Sequence, residues 1–262
     1  MEITNKFSLP RTISLVRKLL IENAKTNIMR LVVLFGSLIL LAILIGYCQG
    51  YSRGYDGNFD RAIPTEQVAF TGMFFILGSI YVSTAFNSMI HKTGRISMLS
   101  LPANSSEKFI AHYVVYVIMF LVAFFCAIWV ADWSRYFIMK IAYPECTIIS
   151  TIKWHNIFNI DGSATIALFL IYQSFFFLGS IVWPRYSYIK TFLALTILFL
   201  LFAITCGICT AVLLPPSNHY NMSCIARFQP IHILWFVTVP VCLINYMLTY
   251  MRLRETEVIN RF

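Results

Sequence analysis

Six apolar stretches of about 20 residues, their interiors free of Asp, Glu, Lys and Arg, divide this chain of 262 residues. An apolar run of roughly 18 or more residues can cross the hydrocarbon of a bilayer as a helix, where every backbone N–H and C=O must be bonded within the segment. The stretches lie near 29–48, 66–90, 109–131, 164–183, 191–214 and 231–250. With 59% hydrophobic and only 12% charged residues, the chain lacks the polar surface of a soluble domain. The expected fold class is an all-α integral membrane protein with six transmembrane helices.

An even number of spans puts both termini on one side of the membrane, so alternate loops can be compared for charge. One face carries fourteen Lys and Arg against five acids, net +9; the other carries six against six, net zero. By the positive-inside rule both termini are cytoplasmic. The basic balance then follows from topology, and nucleic acid is not expected as a partner.

Residues 9 to 27 precede the first span. Pro10 suits a first helical turn. Ile13, Val16 and Leu20, flanked by Leu15 and Leu19, make an apolar stripe, while Arg11, Lys18, Glu22 and Lys25 recur on the other side. This pattern predicts an amphipathic helix lying in the membrane interface. The organisation is accordingly a cytoplasmic N-terminus with its interfacial helix (1–27), a six-helix transmembrane domain (28–250) and a cytoplasmic tail (251–262).

In the second span Gly72, Ser79, Ser83 and Asn87 share one helical face. Small residues and hydroxyls at such positions serve helix packing, and a face turned to a transported substrate is the alternative. Near the middle of the fourth span Tyr172 and Gln173 place polar atoms where a partner is required. The loop HKTGRISMLSLPANSSEKF (91–109) is longer than a simple return needs. Gly94 and Pro102 bracket an apolar segment in it, and Asn104 with Glu107 forms a capping box opening the next helix.

Trp129, Asp132, Trp133, Arg135 and Tyr136 form an aromatic and polar border to the third span. Residues 134–163 read as short surface pieces, and Pro240 as a kink in the sixth span. Cys206 and Cys209 form a CxxC inside an apolar span, where packing is the favoured role. Cys146 and Cys224 both fall in outer loops, where a disulfide is conceivable, and Asn221-Met222-Ser223 matches a glycosylation sequon.

The sequence contains no Walker A pattern, no HExxH and no GxSxG. The histidines are scattered between both faces and read as interface or loop residues, not as metal ligands. Ion-coupled transporters bury ionisable groups within the membrane, and these spans offer none. Asp132, Arg135 and His155 are the one constellation from which a membrane enzyme could be assembled.

Taken together, a basic amphipathic helix, six spans, cytoplasmic ends and a structured loop after span two resemble the permease subunit of bacterial ABC-2 type exporters. The stretch RISMLSLPANSSEKF is similar to an "LPAS…EKF" segment of some such permeases. The resemblance implies a bacterial inner-membrane protein with no catalytic residues and no cofactor of its own. ATP and magnesium would bind a partner ABC ATPase, and a second permease chain would complete a homodimer or heterodimer. It implies an elbow helix held at anionic lipid headgroups by Arg11, Arg17 and Lys18. It also implies a coupling helix in which Arg95, Ile96, Met98, Leu99 and Leu101 contact the ATPase. Ser79, Ser83, Asn87, Tyr172 and Gln173 are candidate lining of the translocation path. The chain departs from many family members in its brief loop between the last two spans, and the cargo is left open. The competing class is a membrane scaffold or sensor that binds another cytoplasmic partner through the same loop.

Overall fold

A computed structural model describes residues 7–52, 62–90, 92–99, 103–142, 160–213 and 230–259. Every regular element among them is helical: α1 (Leu9–Glu22), α2 (Ala24–Ser52), α3 (Ala62–Ser83), a 3₁₀ turn (Asn87–Ile90), α4 (Lys92–Leu99), α5 (Ser105–Tyr113), a π turn (Val114–Ile118), α6 (Met119–Ala142), α7 (Ile160–Val182), α8 (Ser187–Leu213) and α9 (Pro230–Ile259). Among the described residues, six helical segments are long and apolar enough to cross a membrane: Ala24–Cys48, Thr65–Ser83, Ser105–Ala142, Ser163–Val182, Ser187–Ile208 and Leu234–Thr256. The chain is a multi-pass membrane protein in its length pattern and composition.

Three boundaries differ from the sequence expectation. The second span stops at Ser83, because the chain tightens into i→i+3 bonding, with Asn87 N–H on the Thr84 carbonyl (3.2 Å) and Met89 N–H on the Phe86 carbonyl (2.9 Å). The third helix runs on to Ala142, so residues 134–142 are helical and not surface pieces. Nothing breaks the period there until Pro144, just beyond the helix. The last helix continues through Pro240 and past residue 250 into the charged tail.

The chain packs as two units. Unit 1 comprises Met1–Val82 and Ser100–Gly162, and unit 2 comprises Ser83–Leu99 and Ser163–Phe262.

In unit 1, α2 lies along α6. Its buried face is Leu34, Leu38, Ala42 and Gly46, a row with a spacing of four. On α6 the rows Phe120-Phe124-Ile128 and Ala127-Ala131-Arg135-Met139 are buried at the same spacing. Rows of fours on both helices let ridges seat in grooves. The small residues allow close approach, so a Cβ at Gly46 would stand 2.9 Å from Met139 Cε. Phe74 of α3 joins this core, its ring 4.8 Å from Phe124 and 6.2 Å from Phe120.

In unit 2, α7 and α8 form a hairpin turned at Tyr186, whose φ is +59°. Gly179 makes the hairpin tight, because a Cβ there would run into the Thr191 side chain. Phe177 of α7 packs against Phe86 (5.5 Å) and Tyr246 of α9 (6.3 Å). Most of α8 is exposed, including Phe192, Leu193, Phe199, Leu201 and Phe202. A helix that is apolar all round is at home against lipid, which solvates every face.

Candidate coupling and translocation sites

The segment between the second and third spans forms the short helix α4, and Gly94 explains its position. A Cβ at this residue would collide with the Ser88 carbonyl, so only glycine lets α4 rest on the backbone of the preceding 3₁₀ turn. Ser97 Oγ donates to the Gly94 carbonyl (3.1 Å). Arg95, Ile96, Met98 and Leu99 fall on α4, and Ile96 is exposed. Leu101 lies outside the described residues.

Where the chain enters α5, the expected capping box forms: Glu107 Oε2 accepts the Asn104 N–H at 3.1 Å. Its other oxygen does something the sequence does not show. Glu107 Oε1 accepts the Ser8 N–H at 2.8 Å, across 99 residues, at the N-cap of α1. One fully buried carboxylate thus performs the same capping contact for two helices and sits at the positive ends of both. α1 packs against α5 through this junction, burying Thr12 and Leu15. Of the predicted stripe, Leu15 is buried and Val16, Leu19 and Leu20 are half-buried, while Ile13 stays about two-thirds exposed (67%), as does Leu9 outside the stripe (65%). Arg11 and Arg17 are exposed, and Lys18 pairs with Glu22 at 3.4 Å.

Next to this junction Arg30 of α2 stands over the rings of Tyr81 (5.2 Å) and Tyr116 (5.9 Å). The π turn presents Tyr116 from a widened backbone, with Met119 N–H on the Val114 carbonyl. His112, expected at an interface or in a loop, is instead buried within α5, its Nδ1 2.9 Å from the Lys108 carbonyl and its ring stacked on Tyr116.

Farther along unit 1 an ionic cluster corrects the picture of six charge-free spans. Glu66, Asp132 and Arg135 lie inside the spanning helices Thr65–Ser83 and Ser105–Ala142. Arg135 Nη2 donates to Asp132 Oδ1 at 2.8 Å, one helical turn away. Its Nε stands 2.9 Å from Glu66 Oε2, close enough for a strong ion pair but with the N–H off line for a hydrogen bond. All three side chains are nearly or fully buried, and Arg135 Cγ packs over Gly46. In the sequence Glu66 is only the head of the second stretch, and Asp132 with Arg135 only a border. A charge one residue from a stretch's end is the signal that could have flagged the cluster. Of the constellation Asp132, Arg135 and His155, the first two are bound to each other, Arg135 also pairs with Glu66, and His155 lies outside the described residues.

In unit 2 the mid-span residues Tyr172 and Gln173 acquire neighbours that the sequence did not single out. Asn245 Nδ2 of α9 donates to Ser174 Oγ at 2.9 Å, and the Tyr246 hydroxyl reaches Gln173 Oε1 at 3.5 Å. Gln173 is buried, while the ring of Tyr172, 4.7 Å from Phe176, is half-buried.

The small and polar stripe of the second span does not act as one surface. Ser79 and Ser83 are buried, with Ser79 Oγ bonded to the Ile76 carbonyl (2.8 Å), whereas Gly72 faces open space and Asn87 is exposed in the 3₁₀ turn. Among the described residues no group of His, Cys, Asp and Glu is arranged to hold a metal ion. Cys48, Cys126 and Cys206 are exposed free thiols and Cys242 a buried one. Cys146, Cys224 and the sequon at Asn221 lie outside the described residues.

Comparison with protein-family models, characterised proteins and solved structures found no match.

Proposed function

We propose that this chain is the membrane-spanning permease subunit of an ATP-driven exporter of ABC-2 type, resident in a bacterial inner membrane. It works as a dimer of permease chains with two ATPase chains. The observation that carries this reading is α4: a short helix between the second and third spans, fixed by Gly94 against the Ser88 backbone, with Ile96 turned outward. A segment built only to return the chain to the membrane needs neither a helix nor an exposed apolar side chain. A docking element needs both, because an apolar knob in a partner's groove supplies most of such a contact's energy.

ATP binding and hydrolysis take place on the partner, which also holds the magnesium. Closure of the ATPases presses on α4, and the helices respond by a rigid-body shift, the spans themselves doing no chemistry. The exposed apolar edge of α1, with Arg11, Arg17 and Lys18 around it, seats that helix at anionic headgroups on the cytoplasmic side. Within unit 2, Tyr172 and Gln173 serve the path taken by the cargo.

Co-purification tests the reading. A tagged chain brings down an ABC ATPase, and Leu99→Asp or Leu101→Asp abolishes that recovery while membrane insertion stays unchanged. Recovery of some other cytoplasmic protein in place of an ATPase would make the chain a scaffold or sensor and end the permease reading.

A further inference from the structure

The contact between α7 and α9 in unit 2 holds a polar cluster at mid-membrane depth. Gln173 lies nine residues from the end of α7 at Val182, about 14 Å along the axis at 1.5 Å per residue. Its neighbours settle their own hydrogen bonds. Ser174 Oγ donates to the Ile171 carbonyl (2.7 Å) and accepts from Asn245 Nδ2 (2.9 Å), and Thr249 Oγ1 donates to the Asn245 carbonyl (2.7 Å). The Gln173 amide is the exception. It is 1% exposed, its Oε1 has only the long contact to the Tyr246 hydroxyl, and its Nε2 has no partner. An amide nitrogen carries two donors, and burying them unpaired is costly where lipid tails offer no acceptor.

We propose that Gln173 is the polar contact of a binding site for an uncharged amphiphile. The ligand presents an ester, carbonyl or hydroxyl oxygen to Nε2 and lies beside the half-buried rings of Tyr172 and Tyr246. This rests on the permease reading, because it makes the ligand the cargo class.

Neutrality follows from the cluster itself. Gln173, Ser174, Asn245, Tyr246 and Thr249 include no carboxylate, ammonium or guanidinium. The first charge beyond them on α9, Arg252, is already paired with Glu255 at 2.8 Å. An ionic headgroup at Gln173 would be uncompensated in a low-dielectric setting. The apolar tail follows from the surroundings, since Leu243, Ile244, Met247 and Leu248 of α9 are all exposed apolar side chains.

The test uses the whole chain in phosphatidylcholine nanodiscs and four decyl probes: monodecanoin, decane, decanoate and decyltrimethylammonium. Monodecanoin raises the thermal midpoint saturably, and the other three do not. Gln173→Met weakens the monodecanoin isotherm about tenfold, the value of one lost hydrogen bond to a buried amide. Its midpoint without probe is unchanged or higher, because the change removes an unpaired donor. Equal shifts from all four probes, or an unchanged isotherm in the variant, overturn the proposal. Failure of both Gln173→Met and Gln173→Leu to fold also overturns it, by showing that the amide serves to hold α7 against α9. The two readings fail separately. A chain that binds monodecanoin through Gln173 but recovers no ATPase sinks the permease reading alone, and recovery of an ATPase without monodecanoin binding sinks this inference alone.

Discussion

Arg135 is fully buried between two carboxylates, and its aliphatic stem fills the notch left by Gly46. Desolvating three charges is expensive, and only their mutual attraction offsets it. Removing the cation alone therefore costs far more than removing the whole cluster. Arg135→Ala destabilises the protein by about 3–5 kcal/mol in an equilibrium unfolding measurement in mixed micelles. The triple change Glu66→Gln, Asp132→Asn, Arg135→Met recovers most of that loss. Two of the three members of this cluster were legible in the sequence. Asp132 and Arg135, three apart, are neighbours on any helix that continues past residue 131. Glu66 was not, because no local rule says which distant helix brings its carboxylate to an arginine.

The elements were more legible than their junctions. Pro10 at the first turn of α1, the capping box of Asn104 and Glu107, and the apolar runs each rest on interactions within a few residues. The second use of Glu107 is a matter of how α1 is laid against α5, and it makes these two helices one mechanical piece. Glu107→Ala removes two hydrogen bonds to a charged acceptor, each worth about 1.5–3 kcal/mol. Backbone amides at residues 8–12 then exchange with solvent at least about tenfold faster, together with those at 104–108. If only the second group responds, α1 is held by its apolar contacts and Glu107 caps α5 alone. Ile13 illustrates the same limit: its place in an apolar stripe was readable, but its exposure was decided by which flank of α1 met α5.

For the molecule as a whole, an even number of spans predicts that both ends lie on one side, and the charge count predicts that this side is the cytoplasm. A fluorescent reporter that matures only in the cytoplasm gives signal when fused at either end, and a periplasmic phosphatase reporter is inactive at both. Opposite signals at the two ends would mean that one apolar helix does not cross; α8 is then the informative one to delete, being the least buried of the six. The units are interleaved in sequence: α4 belongs to unit 2, while the helices that flank it in the chain, α3 and α5, belong to unit 1. That arrangement is invisible to hydropathy, which treats the loop from 91 to 109 as one segment.

The chain's sequence by itself determined the multi-pass pattern of six long apolar helices, the amphipathic α1 and the cap of α5. Each depends on helix rise, periodicity or a contact three or four residues long, and these are the same wherever the segment is placed. Only the tertiary structure decided that Glu66 meets Arg135, that Glu107 also caps α1, and that Gln173 is left with a donor unpaired beside Asn245 and Tyr246. Those outcomes depend on the register between helices, which is fixed by close-packed contacts between residues 69 to 99 apart in the chain and by no window of sequence.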